Sequence, residues 1–303
     1  MGKSIKGRCS GDADRSSCCA GKIFKTTKDQ IMYKYFLVSL LVFIHPSPVD
    51  PIIDDFYHHP EKVLVAAHRA DHNNYPENSL PAIKRAIAAG IDIVELDIRE
   101  TKDGKIVIMH DQRVDRTTNG KGLVSEMTYA EIALLRLKKE GHITAEHIPT
   151  LEEVLKLTKG LIMIDLDFKA ETSSALKETY RLVKANQMEK QVLFFVYDYK
   201  DAVAGLPVMP RVHNVEEVRT VLDMKSFSIM HIDESFYSDS LMSEVHKAGM
   251  RVWANALGKY DDMEEVQAGS GFEEMLKMKQ VNVIQTNYPE QLLSYLKKKG
   301  YHR

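Results

Sequence analysis

From Glu61 onward, short runs rich in Val, Ile and Phe alternate with stretches whose apolar residues recur at helical spacing. Strands are predicted at Val63–Ala67, Ile91–Ile98, Ile106–Met109, Leu161–Leu166, Val192–Val196, Val208–Val212, Phe227–Ile232, Arg251–Ala256 and Val281–Gln285. Helices are predicted at Asn78–Ala89, capped by Asn78 or Ser79 and stopped by Gly90, then at Thr128–Leu137, Thr150–Leu157, Ser173–Asn186, Val215–Asp223, Asp239–Lys247 and Pro289–Lys299. Thr128 with Glu131, and Thr150 with Glu153, have the spacing of reciprocal N-terminal caps. Eight parallel strands alternating with helices over about 240 residues is the rhythm of a TIM (β/α)8 barrel. The ninth strand is explained by Thr101-Lys-Asp-Gly-Lys105, where Asp-Gly between two β-rich runs signals a tight hairpin. With Asp103 and Gly104 as a two-residue turn, His110 lies opposite Asp97.

Composition adds little to the barrel but sets off what precedes it. A net charge of −2 and an isoelectric point near 6.6 supply no general field for nucleic acid. Met1–Ile31 carries a net charge of +4, leaving −6 for the rest, and holds all three cysteines, Cys9, Cys18 and Cys19. The body therefore depends on no particular redox compartment. Met32 opens a lysine-bearing segment with an apolar run through Ile44, the length of a signal-peptide core and short for a bilayer span; the alternative is an internal apolar strand or helix. The expected division is an upstream extension over 1–31, a signal-like segment over 32–48 and a barrel domain over 60–300. That predicts a periplasmic or secreted protein with no stable membrane span once mature.

The polar residues at strand ends carry the candidate chemistry. Glu95 and Asp97 are two apart on a strand, so both carboxylates project from one face, where a hard divalent cation is the usual compensation for their repulsion. His68 and Arg69 follow the first strand. In Ile164-Asp-Leu-Asp-Phe-Lys169, Asp167 and Lys169 share a face at another strand end. Singly, each has an ordinary reading: a satisfied histidine, the solvent face of a half-buried sheet, a surface ion pair. Jointly, they supply imidazoles, carboxylates and cations where barrels place their functional side chains, as phosphodiester cleavage requires.

His68-Arg69, Pro76-Glu-Asn-Ser79, Val94-Glu-Leu-Asp97, Thr101-Lys-Asp-Gly104, Met109-His-Asp111 and Arg116-Thr-Thr118 resemble the glycerophosphodiester phosphodiesterases. Later landmarks, Ile148–Val154, Val252–Asn255 and Ile284–Pro289, extend the resemblance to about Leu64–Pro289. It implies a TIM barrel, Mg²⁺ or Ca²⁺ on Glu95, Asp97 and Asp167, His68 and His110 as the acid and base pair, and Arg69 and Lys169 holding phosphate. Gln112–His147 would be an insertion near the barrel mouth. A glycerol hydroxyl would attack phosphorus, and water would open the resulting cyclic phosphate, giving glycerol phosphate and an alcohol from a small glycerophosphodiester. Three positions depart from the family pattern: Ala70 for glycine, Asp167 for glutamate and Asn287 for aspartate. Glu77 would line the pocket or cap a helix, with capping favoured for Asn78; Trp253 would stack under substrate or belong to the core. A phospholipase D-like hydrolase of intact lipids and a non-catalytic phosphate- and metal-binding barrel are the rival expectations.

Overall fold

The structure, a computed structural model, describes residues 46–170, 172–196 and 207–303. The extension over 1–31 and all of the signal-like segment before Pro46 lie outside the described residues. Pro46–Arg303 is one compact unit, which reaches beyond the expected 60–300 at both ends.

The chain opens with helix α1 (Asp50–His58), then β1 (Leu64–Ala67), α2 (Leu80–Ala89), β2 (Ile93–Glu100) and β3 (Ile106–Ile108). An irregular stretch carries one helical turn, α3 (Tyr129–Ile132), and a small antiparallel pair, β4 (Lys138–Lys139) and β5 (His142–Ile143). Then follow α4 (Leu151–Thr158), β6 (Met163–Phe168), α5 (Ser173–Ala185), β7 (Val192–Val196), β8 (Val208–Pro210), α6 (Val215–Met224), β9 (Ile229–His231) and α7 (Asp239–Lys247). The chain continues through β10 (Arg251–Asn255), α8 (Lys259–Val266), α9 (Ser270–Met275), β11 (Val283–Thr286) and α10 (Pro289–Lys299).

Eight parallel strands run in the order β8-β7-β6-β2-β1-β11-β10-β9. A parallel bridge between Arg211 and His231, with the Val212 amide donating to the His231 carbonyl at 3.0 Å, brings the two ends of that sheet together. The fold is a TIM barrel, as its rhythm predicts. Each strand alternates its side chains. Leu64, Ala66, Ile93, Met163, Leu193, Met209, Ile229, Trp253 and Val283 fill the lower interior, while the opposite faces pack beneath the helices. Ile52 and Phe56 of α1 close the N-terminal mouth against this inner layer, each burying apolar area worth about 1.5–3 kcal/mol. No helix among the described residues is long and apolar enough to cross a membrane.

All nine predicted strands are present, and both predicted capping boxes form, at Thr128 and Thr150. Three details differ. The β2–β3 hairpin pairs Ile98 with Ile108 and Glu100 with Ile106, one residue out of the expected register, because the loop has three residues and Gly104 takes φ +80°. A left-handed third loop position is the signature of the longer hairpin, and the slip sets Met109, not His110, opposite Asp97. The helix expected over Thr128–Leu137 is one turn, since Leu137 leaves it to bond with Thr144 and Glu146 in a satellite core of Val107, Val114, Val124 and Ile148. Ser79, not Asn78, caps α2, accepting from the Ala82 amide.

Helices α1, α8 and α9 were not predicted. The last two sit against each other so tightly that a Cβ on Gly271 would meet the Tyr260 carbonyl at 1.9 Å. Close approach, rather than an apolar stripe, sets that pair.

Candidate active site

At the C-terminal mouth, β2 and β6 are paired so that Glu95 lies beside Asp165 and Asp97 beside Asp167. Alternation turns all four carboxylates inward, in two layers, above Ile93 and Met163. Glu95, Asp97 and Asp165 are at most 2% exposed. Burial, then the charges of Asp97 and Asp167, hold Glu95 well above the ordinary carboxylate range; burial does the same to Asp165, with Asp167 and Asp97 adding to it. Asp167 is also raised by burial, which outweighs the relief from Lys169.

Two cations answer these acids. Lys169 Nζ is 2.8 Å from Asp167 Oδ2 and 3.9 Å from Asp97 Oδ1, and Arg69 Nε is 3.6 Å from Asp97 Oδ2. The Arg69 amide donates to Glu95 Oε2 at 2.8 Å, and Asn78 holds Asp97 by donating from Nδ2 to Oδ2 at 2.8 Å. Asn78, at a left-handed φ of +57°, is thus a buttress of Asp97, while Ser79 is the cap. Even so, Asp165 Oδ1 and Asp167 Oδ1 are buried and accept no hydrogen bond from any described residue. One oxygen each from Glu95, Asp97 and Asp167 lies within 4.8 Å of the others. A compact set of under-compensated hard oxygens fits a divalent cation such as Mg²⁺ or Ca²⁺.

His68 and His110 flank this set with different partners. Asn287 Oδ1 lies 2.8 Å from His68 Nδ1, which assigns the proton to Nδ1 and leaves Nε2 as the other ring nitrogen of a residue that lines the cavity. Burial, and then Arg69, lower His68 to about 3, so this ring is neutral throughout the physiological range. His110 Nδ1 is 2.8 Å from Asp111 Oδ1, and Arg116 in turn donates to Asp111 Oδ2 at 2.7 Å. Although the register slip moves His110 off Asp97, it stays close enough for its charge to act on Asp167.

Arg69 and Lys169 both face the acids. Glu77 is clamped by Arg69 at 2.9 Å and Arg116 at 2.8 Å, and against the upward push of burial those guanidinium groups bring it down to about 2. Its carboxylate therefore orients Arg69. Arg69 and Ala70 both have positive φ, 51° and 64°, a conformation that costs a residue with a Cβ on the order of 1 kcal/mol and turns the Arg69 amide onto Glu95. Trp253 is fully buried; its indole donates to Asn255 Oδ1 and Gln285 Oε1, each at 3.2 Å, and the residue both belongs to the inner core layer and lines the cavity.

The cavity itself, about 170 Å³, is bounded by His68, Glu95, Asp165, Asp167 and Lys169 on one side and Phe195, Arg211, His231 and Asn255 on the other. A larger, open groove of about 990 Å³ lies by α9 and α10 and contains none of the acids or His68 and His110. The convergence of charge, not volume, marks the site. Sequence reasoning passed over the far wall. Arg211 there bonds His231 Nδ1 at 2.9 Å and Asp233 at 2.6 Å, and His231 Nε2 meets Asn255 at 3.0 Å. It also missed Asp165, legible as the inward partner of Asp167 two residues on. Arg99, the next inward step after Asp97, was missed as well; it staples the His110 and Lys169 carbonyls at 2.7 and 2.6 Å.

Residues 68–209 match the glycerophosphoryl diester phosphodiesterase family. A glycerophosphodiester phosphodiesterase of Caldanaerobacter subterraneus subsp. tengcongensis is 32% identical over 257 residues, covering 79% of this chain and all of that protein. The chain belongs to that family. It is a glycerophosphodiester phosphodiesterase, an enzyme that cleaves phosphoric diesters. In three dimensions it resembles the family enzyme of Parabacteroides distasonis, with a TM-score of 0.70 at 25% identity over 84% of this chain and 93% of that one. A phosphodiesterase of Oleispira antarctica, solved with the product sn-glycerol-3-phosphate, has the same fold, with a TM-score of 0.66 at 23% identity over 78% and 97% of the two chains.

Proposed function

We propose that the enzyme hydrolyses small glycerophosphodiesters to glycerol phosphate and an alcohol, with Glu95, Asp97 and Asp167 holding a divalent cation and His68 and His110 moving the protons. The observation that supports this best is the flanking of one under-compensated acid set by two imidazoles, each with Nδ1 engaged. A bound cation would supply positive charge for the phosphoryl oxygens. Arg69 and Lys169, already facing the acids, would take the remaining phosphate charge.

The two histidines suit different tasks. Neutral His68 has its free lone pair on Nε2, the form of a base that draws the proton from the attacking glycerol hydroxyl as its oxygen bonds to phosphorus. His110, backed by the Asp111 carboxylate, suits delivery of a proton to the alkoxide as the opposite P–O bond breaks. In the second step the roles reverse: His110 deprotonates water, water opens the cyclic phosphate, and His68 returns its proton to the glycerol oxygen. The test is hydrolysis of glycerophosphocholine with Mg²⁺ or Ca²⁺ by wild type, His68→Ala and His110→Ala. Each variant should lose about 10²–10⁴-fold in rate. A wild type as inert as both variants across a panel of glycerophosphodiesters refutes the reading.

Export is part of the same proposal, supported by the lysine-then-apolar pattern from Met32 to Ile44. N-terminal sequencing of protein recovered outside the cytoplasm should begin near Pro46–Pro48; an intact Met32 segment on soluble protein refutes it.

A further inference from the structure

Outside the three carboxylates assigned to the cation, one acid of the cavity, among the described residues, has no evident structural employment. Asp165 is 2% exposed, lines the cavity and is seated one layer below Asp167 and beside Glu95. Its Oδ1 accepts no hydrogen bond from any described residue. Several donors around the same cavity have other partners. Lys169 is 2.8 Å from Asp167, the Trp253 indole is spent on Asn255 and Gln285, and His231 bonds Arg211 and Asn255. A buried carboxylate left so costs several kcal/mol of solvation unless something else occupies its lone pairs.

We infer that Asp165 is a fourth acid of the cation site, accepting a hydrogen bond from a water molecule on the ion bound by Glu95, Asp97 and Asp167. The inference rests on the proposed cation site. The two strands favour it geometrically: the registered pairs Glu95–Asp165 and Asp97–Asp167 stack two acids on two, and three of the four, Glu95, Asp97 and Asp167, converge within 4.8 Å. A hard cation keeps part of its water shell, and carboxylates that hold such water commonly change cation affinity tenfold or more.

The experiment is calorimetric titration of cation-free protein with Mg²⁺ and, separately, Ca²⁺, with thermal unfolding measured alongside for wild type, Asp165→Asn and Asp167→Asn. Asp165→Asn should weaken cation binding about tenfold, keep or raise the cation-free Tm, and shrink the rise in Tm that saturating cation produces. A purely structural Asp165 would instead lower Tm equally with and without cation and leave Kd within about twofold, which overturns the inference. Should Asp165→Asn misfold, Asp165→Ser is read against the same two outcomes. Asp167→Asn separates the two levels of the argument. If it weakens binding and Asp165→Asn does not, the fourth acid falls alone; if neither weakens binding, the three-carboxylate site falls with it.

Discussion

The two mouths of this barrel bury charge in opposite ways. At the N-terminal mouth, Arg251 is 2% exposed, yet it donates to the carbonyls of Phe56, Lys62, Asn282, His59 and Asp55, and so ties the C-terminal end of α1 to the strands. Asp92, fully buried, receives the Val65 amide at 2.9 Å, His302 at 2.8 Å and Arg303 at 2.7 Å. Asp55 takes the other arm of Arg303. Every one of those groups is answered, and the mouth is plugged. At the C-terminal mouth, four carboxylates share Lys169 and Arg69, two of their oxygens are unanswered, and the mouth encloses a cavity. A satisfied buried charge reads as architecture; an unsatisfied one marks where a ligand completes the electrostatics.

The contrast is broken or sharpened by four measurements. The largest effect is expected at the plugged mouth: Asp92→Ala strands His302, Arg303 and the Val65 amide, and should destabilise the fold by about 3–5 kcal/mol with the KM of the folded fraction unchanged, by denaturant unfolding and kinetics. A KM that rises sharply would mean that the two mouths are coupled. Next, cation at about a hundredfold its Kd should stabilise wild type by about 2.7 kcal/mol, a few degrees in Tm, whereas Glu95→Gln should lose most of that gain. An unchanged gain in Glu95→Gln refutes cation binding at the acids.

The third effect is a slope against pH. Burial, and then Arg211, lower His231 to about 3 from 6.5, so between those values the unfolded chain binds a proton that the folded chain does not. Stability from this ring is full above about pH 6.5 and falls as the pH drops toward 3, by about 2 kcal/mol on reaching pH 5. Glu95 and Asp165, raised by burial, act in the opposite sense, gaining stability as they protonate on acidification. Comparison of slopes with His231→Asn isolates the histidine: the variant should be flatter between pH 6.5 and 5, and parallel curves refute the assignment. The smallest effect is at Asn287. Asn287→Asp places a carboxylate on His68 Nδ1 and should move the acid limb of the rate profile up by about one unit or more; an unmoved limb would show that His68 does not set it.

Much of the fold was readable because its elements are strongly periodic. Nine strands and most outer helices follow from runs and caps, down to the reciprocal bonds of Thr150 and Glu153. Of the helices that escaped, α1 packs on a barrel floor assembled from strands distant in sequence, whereas α8 and α9 are short neighbours that meet by close approach at Gly271. The hairpin was misplaced by one residue because Asp-Gly allows both a two- and a three-residue loop, and only the flanking pairs decide between them. Of the site, the acids and histidines at strand ends were visible as spacings. Arg211, His231 and Asn255 were not, since each looks ordinary until closure of the sheet brings β8, β9 and β10 to face β2 and β6.

The chain by itself determined the alternation that turns Glu95, Asp97, Asp165 and Asp167 to one side of two strands, because side-chain direction in a strand depends only on the parity of position. Only the tertiary structure decided that this side is the dry interior of a barrel, that the acids outnumber their partners there, and that Asp92 and Arg251, no less buried, are fully answered. Solvation and counter-charge are properties of surroundings assembled from the whole chain, and no local spacing specifies them.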